Sequence, residues 1–207
     1  MENKNIIITI GRECGSGGRK IGQMLAERLG VKCYDKELLA LVAKESGLCE
    51  EVVASQDEKP VSSFLYSLVA DTYLGINNSF QDMPLNQKVY LAQFNVIQNL
   101  AKHESCVIVG RCADYVLRDY DHVLNVFISG NVEDKIPYLM EINNITEAKA
   151  KELMIKIDKK RSSYYNHYTD KRWGNLKSYD LCINSSVLGH EGTADLIYQM
   201  LAAKEGL

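Results

Sequence analysis

Paired cysteines are missing from this sequence. Its six cysteines are scattered without a CxxC motif, and its four histidines lie far apart. Zinc centres usually need cysteines or histidines at close spacing, so we expect neither a zinc cage nor a disulfide framework. Free thiols are the normal state in the reducing cytoplasm, which is the compartment that we expect.

The chain also lacks an excess of positive charge and a long apolar run. It has 24 lysines and arginines against 27 acidic residues, which gives a formal net charge of -3. We therefore expect neither nucleic acid nor a membrane as a partner, and any anion site must be local. The N-terminal stretch MENKNIIITI reaches glycine and arginine too soon to be a signal peptide or a membrane span.

The composition is that of one ordinary globular domain. The 207 residues are 46% hydrophobic and 25% charged, which is enough for one substantial core and too little for two comfortable domains. Short β-branched or apolar runs predict strands, and apolar residues at helical intervals predict helices. The predicted strands are residues 6–10, 31–35, 105–111, 122–130 and 179–186, and the main predicted helices are residues 20–30, 36–47, 86–103, 131–142 with Asn131 as its cap, and 193–203.

Strands alternate with helices along the whole chain. This order predicts an α/β fold with a parallel sheet that is covered on both faces. Two further segments surround the predicted sheet. Residues 50–86 mix a polar turn, an amphipathic stretch and a loop, and we interpret them as a helical insertion. Residues 146–175 are helical for most of their length and densely charged.

A glycine-rich loop follows the first predicted strand. In IIITIGRECGSGGRKIGQMLAERLG, residues 6–30, a buried strand leads through four glycines into a helix. Glycines allow positive φ and a close approach of backbone N–H groups to phosphate oxygens, and the helix adds a partial positive charge. The pattern predicts a phosphate-binding loop. The alternative is a tight strand-to-helix turn that binds nothing.

The loop lacks the lysine of the usual signature, GxxxxGKS or GxxxxGKT, which reaches the β- and γ-phosphates. When the signature is aligned on the helix that follows the loop, the lysine position falls on Gly18 or Arg19. Arg19 or Lys20 could supply the missing charge, and Ser16 is the only loop hydroxyl available to magnesium. The predicted ATP-binding residues are Gly11, Arg12, Gly15, Ser16, Gly17, Gly18, Arg19 and Lys20.

Five motifs, in order along the chain, resemble one known family. They are ITIGRECGSGGRKIGQMLAERLG, CYDKELL, VIVGRCADYVL, DKKRSSYYNHYT and YDLCINSSVLG. The ordered set resembles the cytidylate kinase-like proteins, which are similar to the nucleoside monophosphate kinases of the P-loop superfamily. This resemblance implies a three-layer P-loop NTPase-type sheet in a single domain over residues 1–207. It also implies ATP and Mg²⁺ as cofactors, residues 50–86 near the acceptor, and residues 146–175 as a helical lid.

The resemblance implies roles for single residues. Asp35 and Arg111 match acceptor-binding positions, Arg111 as a ligand of the acceptor phosphate, with Asp114 nearby. In the DKKR motif at 158–161, Arg161 matches a cation that stabilises the transition state, and Arg19 is the second catalytic candidate. Lys160 and Arg172 complete the lid cations.

Simpler roles are open for the same residues. Asp35 could cap the helix at 36–47, alone or in addition to binding the acceptor. Arg111 could form a structural salt bridge, and the basic and aromatic lid segment could be an ordinary solvated helix. Aromatic residues between basic ones also occur in single-stranded nucleic-acid sites, but the acidic balance of the chain argues against that function.

These residues favour transfer of the γ-phosphate of ATP to a nucleoside monophosphate, which by the resemblance is CMP or dCMP. Two alternatives stay open. One is a nucleotide-binding protein with little or no kinase activity, and the other is a kinase for another small phosphate acceptor. Arg111 and the lid cations favour an enzyme, whereas the absent lysine favours a binding protein. No pattern in the sequence indicates an oligomeric state.

Overall fold

Parallel strands form the centre of the fold. The computed structural model describes residues 5–59 and 83–206. Each strand overlaps a predicted one, and β1 lies in the middle, where Thr9 is opposite Ile108 and Asn125. The sheet order is β2-β3-β1-β4-β5, with every pairing parallel. The strands are β1 (Ile7–Arg12), β2 (Lys32–Tyr34), β3 (Cys106–Val109), β4 (Val123–Ser129) and β5 (Leu181–Asn184).

Helices supply the crossover connections that parallel strands require. None of the helices in the described ranges is both long and apolar enough to cross a membrane. A short 3₁₀ turn at Leu176–Ser178 precedes β5. The α-helices of the described residues are α1 (Gly18–Leu29), α2 (Glu37–Ser46), α3 (Glu50–Gln56), α4 (Leu85–His103), α5 (Ala113–Val116), α6 (Val132–Asn143), α7 (Glu147–Tyr168) and α8 (Ser185–Glu205).

Side chains of the sheet alternate between two faces, and helices cover both of them. On one face, Ile7 belongs to a buried cluster with Leu38 of α2 and Ile97 of α4. On the other face, Ile8 belongs to a cluster that includes Ile197 of α8 and residues of α1. Burial on both faces explains why β1, β3 and β4 are apolar runs rather than alternating ones. The α/β fold class, with helices on both sides of a parallel sheet, is confirmed.

Two helix starts differ in detail from the prediction. α8 begins at Ser185 rather than at residue 193, because the Asn184 side chain accepts a hydrogen bond from the Ser186 N–H at 3.0 Å. Gly189, with φ 67° and ψ -178°, interrupts this helix. The helical spacing of apolar residues is therefore broken, and the sequence pattern does not show the first turn. Asn131 does hold the N-cap position of α6. Its side chain, however, accepts no helix N–H and instead accepts from Asn184 Nδ2 at 2.8 Å.

The predicted insertion at 50–86 is described only at its ends. α3 covers the beginning and α4 starts at Leu85, whereas residues 60–82 lie outside the described residues. The predicted lid segment contains α7, and the C-terminal half of this helix packs on the domain. Tyr164 and Tyr165 are buried there against Cys112, in an aromatic cluster that also contains Tyr90, Tyr115, Tyr168, Trp173 and Tyr179.

Candidate active site

The glycine loop joins β1 to α1 as the sequence predicts. Gly15 and Gly17 take left-handed φ angles of 84° and 75°. At Gly17 a Cβ atom would lie 2.0 Å from Nε2 of His190, so a larger residue would need both a strained backbone and a shift of the His190 side chain. Among the described residues, the N–H groups of Gly15, Gly17 and Gly18 have no hydrogen-bond partner. These groups are free to donate to an anion in front of the N-terminus of α1.

Two neighbouring helices hold the loop in place. Asp158 of α7 accepts a hydrogen bond from the backbone N–H of Cys14 at 2.7 Å. Lys135 of α6 lies with its Nζ 2.7 Å from Oε2 of Glu13. Burial raises the pKa of the Cys14 thiol and that of the Asp158 carboxyl. The shape of the loop is therefore tied to α7, the helix that also carries Arg161.

Ser16, the predicted magnesium ligand, faces into the loop. It is 1% exposed, and its hydroxyl donates to the carbonyl of Glu13 at 2.9 Å. Its own carbonyl accepts from the hydroxyl of Ser185 at 2.8 Å. Within residues 5–59 and 83–206, no group of three or more histidine, cysteine or acidic side chains is placed to hold a metal ion. The assignment of magnesium to Ser16 stays a prediction.

A cleft of about 590 Å³ opens beside the loop. Its wall carries arginines from four separate segments: the end of β1, the start of α1, the turn after β3, and α7. Ligands of open α/β sheets bind outside the carboxyl ends of the strands, and this cleft lies at that edge. The arginines are Arg12, Arg19, Arg111 and Arg161, and the acids that pair with them are Asp35, Asp57 and Glu58.

Carboxylates hold Arg111 on both sides. This residue is 3% exposed, and its Nη1 lies 2.8 Å from Oδ1 of Asp35 while its Nη2 lies 2.9 Å from Oδ2 of Asp57. Nη1 also donates to the carbonyl of Val109 at 2.9 Å. Burial alone would lower the pKa of Arg111, but the nearby acids outweigh burial and raise it. The structure thus brings Arg111 and Asp35 together, in a direct ion pair.

Asp35 does not cap the helix that follows it, so that alternative is wrong. The N-cap of α2 is Lys36, and no side chain caps this helix. The reason is competition from two guanidinium groups, because Oδ2 of Asp35 lies 3.0 Å from Nε of Arg19 while Oδ1 contacts Arg111. Arg19 therefore lies on the Asp35 side of the cleft, with 47% of its side chain exposed. Lys20 is exposed and does not line the cleft.

A second ion-pair group joins β1 to α7. Glu58 lies with Oε1 2.8 Å from Nη1 of Arg12 and with Oε2 3.4 Å from Nε of Arg161. Nη1 of Arg161 also donates to the backbone carbonyl of Arg12 at 3.3 Å. Burial would raise the pKa of Glu58, but the charges of Arg12, Arg161 and Arg111 outweigh it and hold this pKa well below its usual range. Burial, followed by repulsion from Arg12, lowers the pKa of Arg161.

Asp57 and Glu58 were not predicted from the sequence. They follow α3 directly, and their partners belong to β1, α7 and the turn after β3, which are distant in sequence. No spacing motif marks them. The only available signal is a pair of adjacent acids at the end of a short amphipathic helix.

Asp114 lies behind the main cleft. It is buried and accepts a hydrogen bond from the Tyr165 hydroxyl at 2.6 Å. Burial raises the pKa of Asp114, although the bond from Tyr165 opposes the shift. Asp114 and Gly11 both line a smaller cavity instead of the main cleft. Asp114 stays a predicted acceptor residue that this arrangement places at the edge of the site.

The lid cations are only partly brought to the site. Arg161 lines the cleft, but Lys160 and Arg172 do not, and Arg172 is exposed. For Lys160 the cause is the anchoring of the C-terminal half of α7, which fixes another face of this helix toward the cleft. Arg172 lies beyond the end of α7 at Tyr168. The role of Arg161 in catalysis stays a prediction.

Comparison with known proteins tests the resemblance that the sequence motifs predict. The model of the cytidylate kinase-like family matches residues 7–187. The chain belongs to this family. The crystal structure of an uncharacterized protein from Eubacterium ventriosum ATCC 27560 is 32% identical to this cytidylate kinase-like protein, with a TM-score of 0.73 over 95% of this chain and 98% of that one.

A more distant structure shares the fold of this cytidylate kinase-like protein. The crystal structure of shikimate kinase from Bacteroides thetaiotaomicron is 14% identical, with a TM-score of 0.54 over 98% of this chain and 99% of that one. No curated protein sequence matches the chain. The resemblance inferred from the sequence motifs and the P-loop kinase fold are therefore confirmed.

Proposed function

We propose that this protein transfers the γ-phosphate of ATP to a nucleoside monophosphate, with CMP or dCMP as the preferred acceptor. Its membership of the cytidylate kinase-like family supports phosphotransfer in general. The observation that carries the proposal is the convergence of four arginines on one cleft beside the glycine loop. Phosphoryl transfer depends mainly on positioning and on neutralising charge, and converging cations supply both.

The glycine loop fits the donor phosphates. Free N–H groups at Gly15, Gly17 and Gly18 form the concavity that phosphate oxygens need. Mg²⁺, held mainly through the phosphates as is usual for this ion, would supply Lewis-acid neutralisation there. Arg161 is the best candidate for stabilising the transferring phosphoryl group, because its guanidinium donates to the carbonyl of Arg12, directly before the loop.

Asp35 and Arg111 form the acceptor end of the cleft. A carboxylate at Asp35 accepts a hydrogen bond from the exocyclic amino group of cytosine, whereas uracil presents a carbonyl oxygen that faces the carboxylate without a proton. A buried polar group left unpaired costs about 1 to 3 kcal/mol. This cost favours CMP and dCMP over UMP by several-fold.

A second candidate acceptor is a small molecule that carries hydroxyl or amino groups instead of a phosphate. The observation that favours it is the saturation of Arg111, whose guanidinium already contacts two carboxylates and a carbonyl. An acceptor phosphate must displace Asp57 from Arg111, whereas a hydroxyl group can bind to the carboxylates as they are.

The test is ADP formation by the full chain with Mg-ATP and a panel of nucleoside monophosphates. We expect CMP or dCMP to be turned over at least several-fold faster than UMP, with little turnover of AMP or GMP. Asp35→Asn should remove the preference for CMP over UMP, because its amide can donate as well as accept. Asp195→Asn, a substitution on the exposed face of α8, is the matched control.

Preferred turnover of a purine monophosphate would refute the cytidylate assignment and leave the kinase assignment in place. ATP binding without phosphorylation of any nucleoside monophosphate would favour the second acceptor class or a non-catalytic nucleotide-binding protein. Turnover of a small polyol or amine in the same assay would then indicate the second acceptor class, and no turnover would indicate a non-catalytic nucleotide-binding protein.

A further inference from the structure

The position of the missing lysine is filled by a different side chain. In the usual P-loop signature the lysine directly follows a glycine. Gly18, the first residue of α1, directly follows Gly17 and therefore stands at one of the two candidate lysine positions. A Cβ atom at Gly18 would lie 2.6 Å from Cβ of Arg12 and 3.0 Å from its Cγ. Gly18 does not need the left-handed backbone region, so the constraint here is space alone. The stem of Arg12 occupies the volume that a lysine at residue 18 would need.

A second glycine makes room for the charged end of Arg12. Gly110 follows β3 with φ 80°, and a Cβ atom there would lie 2.1 Å from Nη1 of Arg12 and 2.8 Å from Oε1 of Glu58. The guanidinium of Arg12 therefore lies directly over the carboxyl end of β3. Glycines from two separate segments thus flank the stem and the head of one side chain. This arrangement is a built position for an arginine that starts from β1.

We propose that Arg12 takes the place of the P-loop lysine, and that its guanidinium contacts the β- and γ-phosphates of the bound nucleotide. Glu58 is its counter-ion in the absence of nucleotide. The inference rests on the ATP-binding half of the proposed function and is independent of the acceptor. It also changes the roles of Arg19 and Lys20, since neither is needed as the missing loop cation.

Arginine suits this position for a geometric reason. A lysine at residue 18 would start from α1, whereas Arg12 starts from the end of β1, passes Gly18 with its stem and reaches the cleft with its guanidinium beside Gly110. Its planar fork carries five N–H donors, so it can keep one contact to Glu58 and still offer donors to phosphate oxygens. Arg161 stands on the other side of Glu58. The group of two arginines and one glutamate has a net positive charge that favours an incoming phosphate.

The first experiment measures nucleotide binding by calorimetry on the full chain with Mg²⁺ and AMP-PNP, ADP or AMP. Arg12→Met keeps most of the stem and removes the charge. We expect at least tenfold weaker binding of AMP-PNP and ADP, and less than a threefold change for AMP, which lacks both phosphates. Arg28→Met is the matched control, because Arg28 lies on α1 and pairs only with Glu191 and Asp195 on α8 among the described residues.

The second experiment moves the cation back to the helix. Gly18→Lys alone should weaken AMP-PNP binding, because the lysine collides with the stem of Arg12. The double variant Arg12→Gly with Gly18→Lys should bind AMP-PNP at least threefold more tightly than Arg12→Gly alone. Alanine at residue 12 would not serve in this test, since the closest atom to the new side chain is Cβ itself.

Unchanged affinity of Arg12→Met for AMP-PNP would overturn the proposal, and so would an equal loss of affinity for AMP-PNP and AMP. If Arg12→Met does not fold, Arg12→Lys, which keeps a positive charge beside Glu58, is expected to show at least threefold weaker AMP-PNP binding with AMP unaffected, and equal binding would overturn the proposal. Dependence of AMP-PNP binding on Arg12 without phosphorylation of any acceptor would refute the kinase function and leave this inference standing.

Discussion

Removal of the Glu58 charge should strongly disturb the ion pairs of the cleft. Glu58 lies between Arg12 and Arg161, and the side chains of all three are mostly buried, with exposures of 11%, 10% and 16%. Glu58→Gln keeps the shape of the side chain and removes its charge. Two guanidinium groups then face each other without a counter-ion, and the free energy of unfolding should fall.

The expected loss is large for one substitution. Removing one partner of a buried ion pair typically costs 3 to 5 kcal/mol, and partial exposure to the cleft places this case near about 3 kcal/mol. For a chain of this size, that loss corresponds to a melting temperature lower by roughly 6 to 12 °C. Glu191→Gln, which affects a surface pair in which the glutamate side chain is 73% exposed, should cost less than about 1 kcal/mol.

The pH dependence gives an independent check of the same pair. The pKa of Glu58 in the folded protein lies below its ordinary value of 4.5. The carboxylate therefore contributes stability that is complete above this ordinary value and is lost as pH falls toward the folded-state pKa. Glutamine does not titrate, so the stability difference between wild type and Glu58→Gln should be constant from about pH 7 to pH 5 and shrink below about pH 4.5.

Urea unfolding followed by circular dichroism at several pH values measures both effects. The same variant should bind AMP-PNP more tightly than wild type, since no carboxylate competes with phosphate for Arg12. This account of the ion pairs would be refuted if Glu58→Gln had the same free energy of unfolding as wild type at pH 7. A stability difference that grows below pH 4.5 would also refute it.

The other predictions concern single contacts of the cleft and its loop. Arg161→Ala should lower kcat on the order of 10³-fold with little change in nucleotide affinity, measured by steady-state kinetics and calorimetry, and normal turnover would show that α7 only packs there. Arg19→Ala should raise KM for the acceptor about tenfold or more, as expected for a charged contact of about 1.5 to 3 kcal/mol. A loss of ATP affinity instead would return Arg19 to the donor loop. Asp158→Ala leaves the N–H of Cys14 without an acceptor and should destabilise the protein by about 1 to 3 kcal/mol in urea unfolding, whereas Asp158→Asn, which retains an acceptor oxygen, should cost less.

Local patterns of the sequence were sufficient for the main architecture. Each predicted strand is present. The pattern is clearest for β1, β3 and β4, which are short apolar runs buried on both faces of the sheet. The start of α8 was misplaced because the irregular backbone at Gly189 breaks the helical period. The glycine loop was found from its spacing, since positive φ at Gly15 and Gly17 is a property of residue type.

The chemistry of the cleft was harder to predict, because it depends on contacts between distant segments. Asp57 pairs with Arg111, and Glu58 pairs with Arg12 and Arg161, across separations that no motif encodes. Helix phase predicted Gly18 or Arg19 as the lysine position. It could not reveal that the stem of Arg12 fills the space beside Gly18, because that stem comes from the preceding strand.

Transfer of phosphate to CMP is the central claim, and ³¹P NMR of the reaction tests it most directly. The full chain is mixed with Mg-ATP and CMP, and the spectrum is followed for the loss of the ATP γ-phosphate signal. The account predicts that paired α- and β-phosphate signals of CDP and ADP grow together as ATP and CMP are consumed. Release of inorganic phosphate at the same rate with and without CMP, or no change while ATP remains bound, would contradict it.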